Sequence, residues 1–435
     1  MKKMFTLITI MVLVIFSTSY SQWVNMGGFP SPTFAANNPG GHAVAVDPDG
    51  KIWIGNYYNV TGDTIFNGTS WVATRAIHVY NPDGSEVSFS PILTITVNGV
   101  TDSLIGFTNR GMRTAADGNI LVTTGNRLHK INYLTGQGMA TVIPDPVNSG
   151  TAPAVDGFGN VYTATVVPGN PIKIYSPDLS LYLGNVVDVS VGYSRSFEVS
   201  ADGNTVYWAG YDKNKVKVYS RPDEFSPYEL TDSVLFGFQC ESMTWSNDRS
   251  LLWASCGSDV GGLPNQDPDH VTSWTVGTWY AWNPVTNTIV DSIKTVYNAV
   301  PNEDLRPRGL DFSPNGQIAY VAYFGAGMPC FQKFENPTAV DEEGQTIVNG
   351  YALSQNYPNP FNPSTKISFE LPMSGYTTLK VYDMLGSEVA TLVSSELASG
   401  SHSVNFNAAN LSSGTYVYQL NVNGTRITNK MVLLK

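Results

Sequence analysis

The chain has 435 residues, enough for roughly two to four domains, and carries 40 glycines, 26 prolines, 23 tyrosines and 19 phenylalanines but only 14% charged residues. That composition suits many short strands joined by tight turns and excludes a helical bundle or a disordered chain. A formal net charge of −11, with no cluster of Lys and Arg, excludes a nucleic-acid binder.

Residues 1–21 read as a secretory signal: Lys2 and Lys3 form a charged start, Phe5 to Phe16 is a largely apolar run, and Ser19 and Ser21 supply small residues before Gln22. The run is 12 residues long, short of the roughly 20 that a membrane span needs. Removing two lysines takes the charge from −11 to −13, so the mature chain is expected to be an acidic exported protein without a membrane span.

From residue 22 to 337 one pattern recurs: an apolar strand, a tight Asp/Asn-Gly type turn and a second apolar strand. The copies are His42-AVAVDPDG-KIWIG, Arg110-GMRTAADG-NILVT, Thr151-APAVDGFG-NVYTA, Arg195-SFEVSADG-NTVYWAG, Glu241-SMTWSNDR-SLLWAS and Arg308-GLDFSPNG-QIAYVA. A second marker, a strand ending in a turn, follows each copy once, at Val79, Ile131, Ile174, Val218, Ala281 and Phe334. Short antiparallel strands repeating every 40 to 50 or so residues predict an all-β, six-bladed β-propeller, or a seven-bladed one if a blade lacks its marker. No room remains for an outer strand after Phe334, so Gln22 to Met26 is expected to supply it. The two long spacings, 68 after His42 and 67 after Glu241, place insertions near Tyr57–Arg75 and Gly257–Gly277. Both fall on the face where the six leading residues open, the face where binding is expected.

The six leading residues are the candidate ligand-binding set: His42, Arg110, Thr151, Arg195, Glu241 and Arg308. Three arginines on alternate blades match carboxylate, sulfate or phosphate, with Glu241 holding one arm by an ion pair. Aromatics near the ends of second strands, Tyr57, Tyr58, Tyr211, Tyr323 and Phe324, are candidates for stacking on sugar rings or for packing between blades. Cys240 and Cys256 lie symmetrically about the turn at Asp248 and are expected to face each other, as a disulfide or as two buried thiols; Cys330 is expected in the core. His78 and His129 read as structural strand residues. No zincin, redox, haem, serine hydrolase, P-loop or dinucleotide motif is present, so no catalytic residue, metal or cofactor is expected.

Residues 338–350 (TAVDEEGQTIVNG) read as an exposed linker. From Tyr351 the chain runs YALSQNYPNPFNPSTKISFELP, then LKVYDMLGSEVATLV, LSSGTYVYQL and a final NKMVLLK. Strands predicted around Lys366, Thr378, Glu388, Ser403, Thr415 and Ile427 make a small Ig-like β-sandwich. Residues 351–435 closely resemble the type A C-terminal sorting domain of the type IX (Por) secretion system. The resemblance implies an extracellular or cell-surface protein whose tail is read by that machinery after Sec transport.

Phrases such as RGLDFSPNGQIAYVAY resemble the NHL and gluconolactonase/regucalcin-like six-bladed propellers. The lactonase-type members hold a metal at the channel mouth through Glu, Asn and Asp at the leading positions. Here only Glu241 is a hard-metal ligand, and three arginines would repel a divalent cation. The expected function is therefore non-catalytic binding of a glycan, an anionic ligand or a protein; the alternative is an extracellular propeller hydrolase or lyase acting on a carbohydrate or lactone.

Overall fold

A computed structural model describes residues 23–31, 40–59, 62–106, 108–190, 192–210, 215–257, 274–275, 277–295, 306–324 and 329–336. Between 352 and 434 it describes all but 354–355, 357, 372–374, 384–385, 398–399 and 423–424. The expected signal segment, the linker, Tyr211 and nearly all of the Gly257–Gly277 insertion lie outside these residues.

Among the described residues the chain is all-β. Six antiparallel sheets follow one another in sequence, with inner strands Gly41–Val46, Asn109–Thr114, Ala154–Val155, Ser194–Val199, Cys240–Trp245 and Arg306–Phe312; they are numbered 1 to 6 in that order. Sheets 2 to 6 have four strands each. The outer strand of sheet 6 is Val24–Gly28, paired with Phe331–Glu335, so the start of the chain completes the last sheet as its sequence predicts.

The hairpins after each inner strand form for a local reason. Gly50, Gly118, Gly159, Gly203 and Gly316 all have φ between 67° and 85°, the left-handed region that glycine enters without a Cβ clash. The preceding turn residues Asp47, Asp117, Asp156, Asp202, Asp248 and Asn315 each accept a backbone N–H two residues on, which locks the turn. Sheet 5 breaks the glycine rule with Arg249 at φ 56°.

Between consecutive sheets lie separate apolar clusters: Trp53 with Met112 between sheets 1 and 2, Leu121 with Val155 between 2 and 3, and Tyr162 with Phe197 between 3 and 4. Ala209 with Met243, Trp253 with Leu310, and Tyr320 with Val44 continue the series to the contact of sheet 6 with sheet 1. The residue after each leading position is small (Ala43, Gly111, Ala152, Ser196, Ser242, Gly309), because neighbouring inner strands come close there. A Cβ on Gly111 would sit 2.2 Å from the Ala152 Cβ, and one on Gly309 would sit 3.0 Å from Val44 Cγ1.

Sheet 1 departs from expectation. Its inner three strands pair as usual, but the fourth position is reduced to isolated bridges at Glu86 and Ile92, followed by a separate hairpin, Thr94–Val97 with Val100–Ser103. Pro91, which has no N–H to give a ladder, stands in that outer segment. The insertion after Asn56 is itself a hairpin, Thr64–Phe66 with Trp71–Ala73.

Residues 352–433 form two further sheets with one core that includes Phe361, Phe369, Leu379, Tyr418 and Met431. All six sequence-predicted strands are present. The proline-rich lead-in belongs to this core: Phe361 donates its N–H to Val432 O and accepts one from Leu434.

Candidate functional site

The leading residues share one backbone device. Gly41 pairs with Asn56 but Ala43 with Gly55, leaving His42 as an extra residue; the same one-residue slip occurs at Arg110 and Arg195 and again at Arg308. In sheet 5 the slip falls between Cys240 and Met243, the stretch that contains Glu241. A β-bulge bends the strand and redirects the extra side chain, so the same irregularity turns these side chains out of the ladder. Thr151 precedes its short strand and is buried, its hydroxyl donating to the Ala152 and Ala164 carbonyls.

The structure brings five of the six together and leaves Thr151 in the backbone packing. Glu241, 2% exposed, pairs with Arg308 Nη1 at 2.9 Å and lies 3.7 Å from Arg195 Nε. Gly257 makes room for this carboxylate, since a Cβ there would meet Glu241 Cγ at 2.3 Å. Arg110 stacks over the Tyr57 ring at 5.1 Å, and His42 lies against the same ring at 5.6 Å. Arg306 and Arg308 stand 5.5 and 5.8 Å from the Phe324 ring centre. Tyr57, Tyr58 and Phe324 thus pack on one another and on the cations. Tyr323 is fully buried, a correction to its reading as a sugar platform: strand alternation turns it inward where Phe324 turns out.

Among the described residues the charges in this cluster are mostly positive. Burial pushes Arg308 down to about 10; Glu241 opposes the shift, and Arg195, Arg306 and Arg110 add to it. Arg110 is lowered chiefly by burial, with Tyr57 opposing. His42 is held well below its usual range by burial first, then by Arg308, Arg110 and Arg195, so it is neutral near pH 7. His42 Nδ1, Arg110 Nε and Arg308 Nε are buried with no hydrogen-bond partner among the described residues. Arg75 and Asn56 carry further buried polar atoms without a hydrogen-bond partner among the described residues. Sequence reasoning missed Asn56, Arg75 and Arg306, although Asn56 stands opposite Gly41 at the end of a second strand and Arg306 lies two residues before Arg308.

A second charged group lies three residues further along the inner strands. Arg113 donates to Thr244 Oγ1 at 2.6 Å, to the Met243 carbonyl at 2.9 Å, and to Glu198. Burial raises Glu198 to about 7 against the pull of Arg113 and Arg249, and burial also raises Asp311. This group lines a cavity of about 260 Å³ near the hairpin turns. Only about 10 Å³ of space is found between the inner strands that separate it from His42 and Arg308. Cys240 and Cys256 are direct register partners and both are free thiols.

Residues 355–434 match the secretion system C-terminal sorting domain, as the tail motifs implied. The chain therefore carries a sorting tail of the type IX (Por) route, which implies export to the cell surface or beyond and recognition by that machinery. In fold, the chain is similar to a luciferin-regenerating enzyme at 10% identity, covering 73% of this chain and 96% of that one with a TM-score of 0.47. The WD40 domain of Neurospora crassa Pan2 gives 12% identity, coverages of 73% and 97%, and a TM-score of 0.43. PorZ, a surface component of the type IX secretion system of Porphyromonas gingivalis, gives 13% identity, coverages of 93% and 54%, and a TM-score of 0.38. No curated protein matches the chain in sequence.

Proposed function

We propose that residues 22–337 form a closed six-bladed propeller, exported behind the signal at 1–21 and joined by the linker at 338–350 to the sorting domain at 351–435. On this reading the propeller is a non-catalytic binding module whose ligand is anionic, carrying a carboxylate, sulfate or phosphate group. Arg110, Arg195 and Arg308 receive the anion, His42 lies beside them as a neutral ring, and Glu241 orients Arg308 and Arg195. The carrying observation is a pair of buried donors, Arg110 Nε and Arg308 Nε, without hydrogen-bond partners among the described residues and set beside a neutral His42. Unpartnered buried polar atoms cost about 1–3 kcal/mol each, and an anion with several oxygens would satisfy more than one. Among the described residues, five arginines (75, 110, 195, 306 and 308) share this region, and Glu241 pairs with two of them, Arg195 and Arg308. A donor set of this kind suits an anion and opposes a divalent cation.

Thermal unfolding in sulfate and in chloride at equal ionic strength tests this. Sulfate is expected to raise the melting temperature of the wild type, and the double variant Arg195→Gln/Arg308→Gln is expected to lose that increment. An equal increment in the double variant, or none in the wild type, would reject anion binding at these residues.

A further inference from the structure

The cavity near the hairpin turns is built differently from the arginine cluster. Its wall combines three carboxylates, Glu198, Asp311 and Asp47, two guanidiniums, Arg113 and Arg249, and the apolar faces of Trp245 and Phe312. Asp47 is already paired with Lys51 at 3.1 Å and accepts the Trp53 indole N–H. Glu198 is 2% exposed, while Asp311 is half-buried and accepts the Val46 and Phe312 N–H groups. Arg113 Nε is buried with no partner among the described residues. With Asp47 paired with Lys51, the two remaining carboxylates and the two guanidiniums balance, so the wall offers little net attraction to an ion. Its closely set donors and acceptors instead suit a neutral molecule that presents both kinds of group.

Arg249 supports the reading independently. It occupies the turn position that the other five hairpins give to glycine, at φ 56°, a conformation that costs a side-chain-bearing residue about 1–2 kcal/mol. In that position its guanidinium reaches across to donate to the Val155 carbonyl at 2.6 Å and the Val199 carbonyl at 3.3 Å, so the strained residue closes one side of the cavity.

We infer that this cavity is a second binding site, separate from the arginine cluster, and that it takes one ring of a neutral polyhydroxylated ligand, a single sugar residue. The volume of about 260 Å³ leaves room for one such ring. Hydroxyl pairs donate to Glu198 and Asp311 and accept from Arg113 Nε, while the less polar ring face lies against Trp245 or Phe312. The charged groups facing Glu198 are Arg113, Arg249 and Asp311. A ligand hydroxyl donating to Glu198 favours its ionised form, so binding releases a proton and tightens as pH rises from 6 to 8.

Saturation-transfer NMR on the full mature chain, with glucose, galactose, mannose and N-acetylglucosamine each as a probe, tests the site. At least one of these sugars is expected to show saturable transfer, with affinity several-fold greater at pH 8 than at pH 6. Asn247→Trp, at an exposed rim position away from the buried charges, is expected to abolish the transfer by blocking the mouth. Glu198→Gln is expected to remove the pH dependence. Absence of transfer from all four sugars overturns the inference. So does transfer that survives Asn247→Trp, or transfer that is lost in Arg195→Gln/Arg308→Gln, since either places the sugar elsewhere. The sulfate response of the Asn247→Trp variant is expected to stay unchanged, which keeps failure at this site distinct from failure at the arginine cluster.

Discussion

Replacing Glu241 with Gln would remove the carboxylate that holds Arg308 and Arg195 while keeping the side chain's shape against Gly257. The pair is buried, with Arg308 at 2.9 Å and Arg195 at 3.7 Å, so water screens it poorly. Breaking a buried ion pair by removing one partner costs about 3–5 kcal/mol, because the remaining charge is left uncompensated. At roughly 2–4 °C per kcal/mol, the melting temperature should fall by about 10 °C in chloride. The variant should also respond more strongly to sulfate than the wild type, because the anion replaces the lost countercharge; at 100 times the dissociation constant it restores about 2.7 kcal/mol. Differential scanning fluorimetry of both proteins, in chloride and in sulfate at matched ionic strength, measures both quantities. A variant as stable as the wild type in chloride, or one with a sulfate increment no larger than the wild type's, would refute the claim that these arginines are held in unfavourable proximity.

Glu198 gives a pH prediction. Its folded pKa of about 7 lies above the ordinary 4.5, so the folded state keeps a proton that the unfolded chain has released, and stability should fall as pH rises across that window. The loss is on the order of 3 kcal/mol, and denaturant unfolding of Glu198→Gln at pH 5 and pH 8 should show that much less pH dependence than the wild type; identical slopes would show that Glu198 is not the group responsible. Deleting residues 22–29 removes the strand paired with Phe331–Glu335 and the contacts of Trp23 with Trp253, Phe312 and Asp291. An open sheet edge promotes association, so the truncated chain should melt several degrees lower or aggregate on light scattering, and unchanged melting of a monomer would count against this strand as a closing element. Deleting residues 351–435 should leave the rest of the chain folded but inaccessible to protease added to intact cells, whereas normal surface exposure would contradict the export route.

What the sequence revealed follows from how local each cause is. Turn glycines such as Gly50 and Gly118 and their partner Asp residues announce each hairpin, because the left-handed turn and the Asx hydrogen bond are decided within a few residues. The outer strand of sheet 6, Val24–Gly28, was also legible, since Phe334 leaves its edge without a later partner. The gathering of His42, Arg110, Arg195, Glu241 and Arg308 could be anticipated from equal offsets to those turns. Their shared bulges could not, because a one-residue slip depends on the partner strand's register. Arg249 was visible as the exception to the glycine rule, but its reach to Val155 depends on packing across neighbouring sheets. The cluster of Glu198, Arg113 and Asp311 was hidden for the same reason: three residues from three different repeats meet only when the inner strands stand side by side. Tyr323 and Phe324 were exchangeable in sequence, and only strand alternation assigned one to the core and the other to the cation cluster.

The most direct test of anion recognition is a crystal of the mature chain grown free of oxyanions and soaked in selenate, examined by anomalous difference density at the selenium edge. The account predicts a selenium peak within hydrogen-bonding reach of Arg110, Arg195 and Arg308 that disappears in Arg195→Gln/Arg308→Gln. Crystals with no peak among these side chains, or with an equal peak in the double variant, would contradict it.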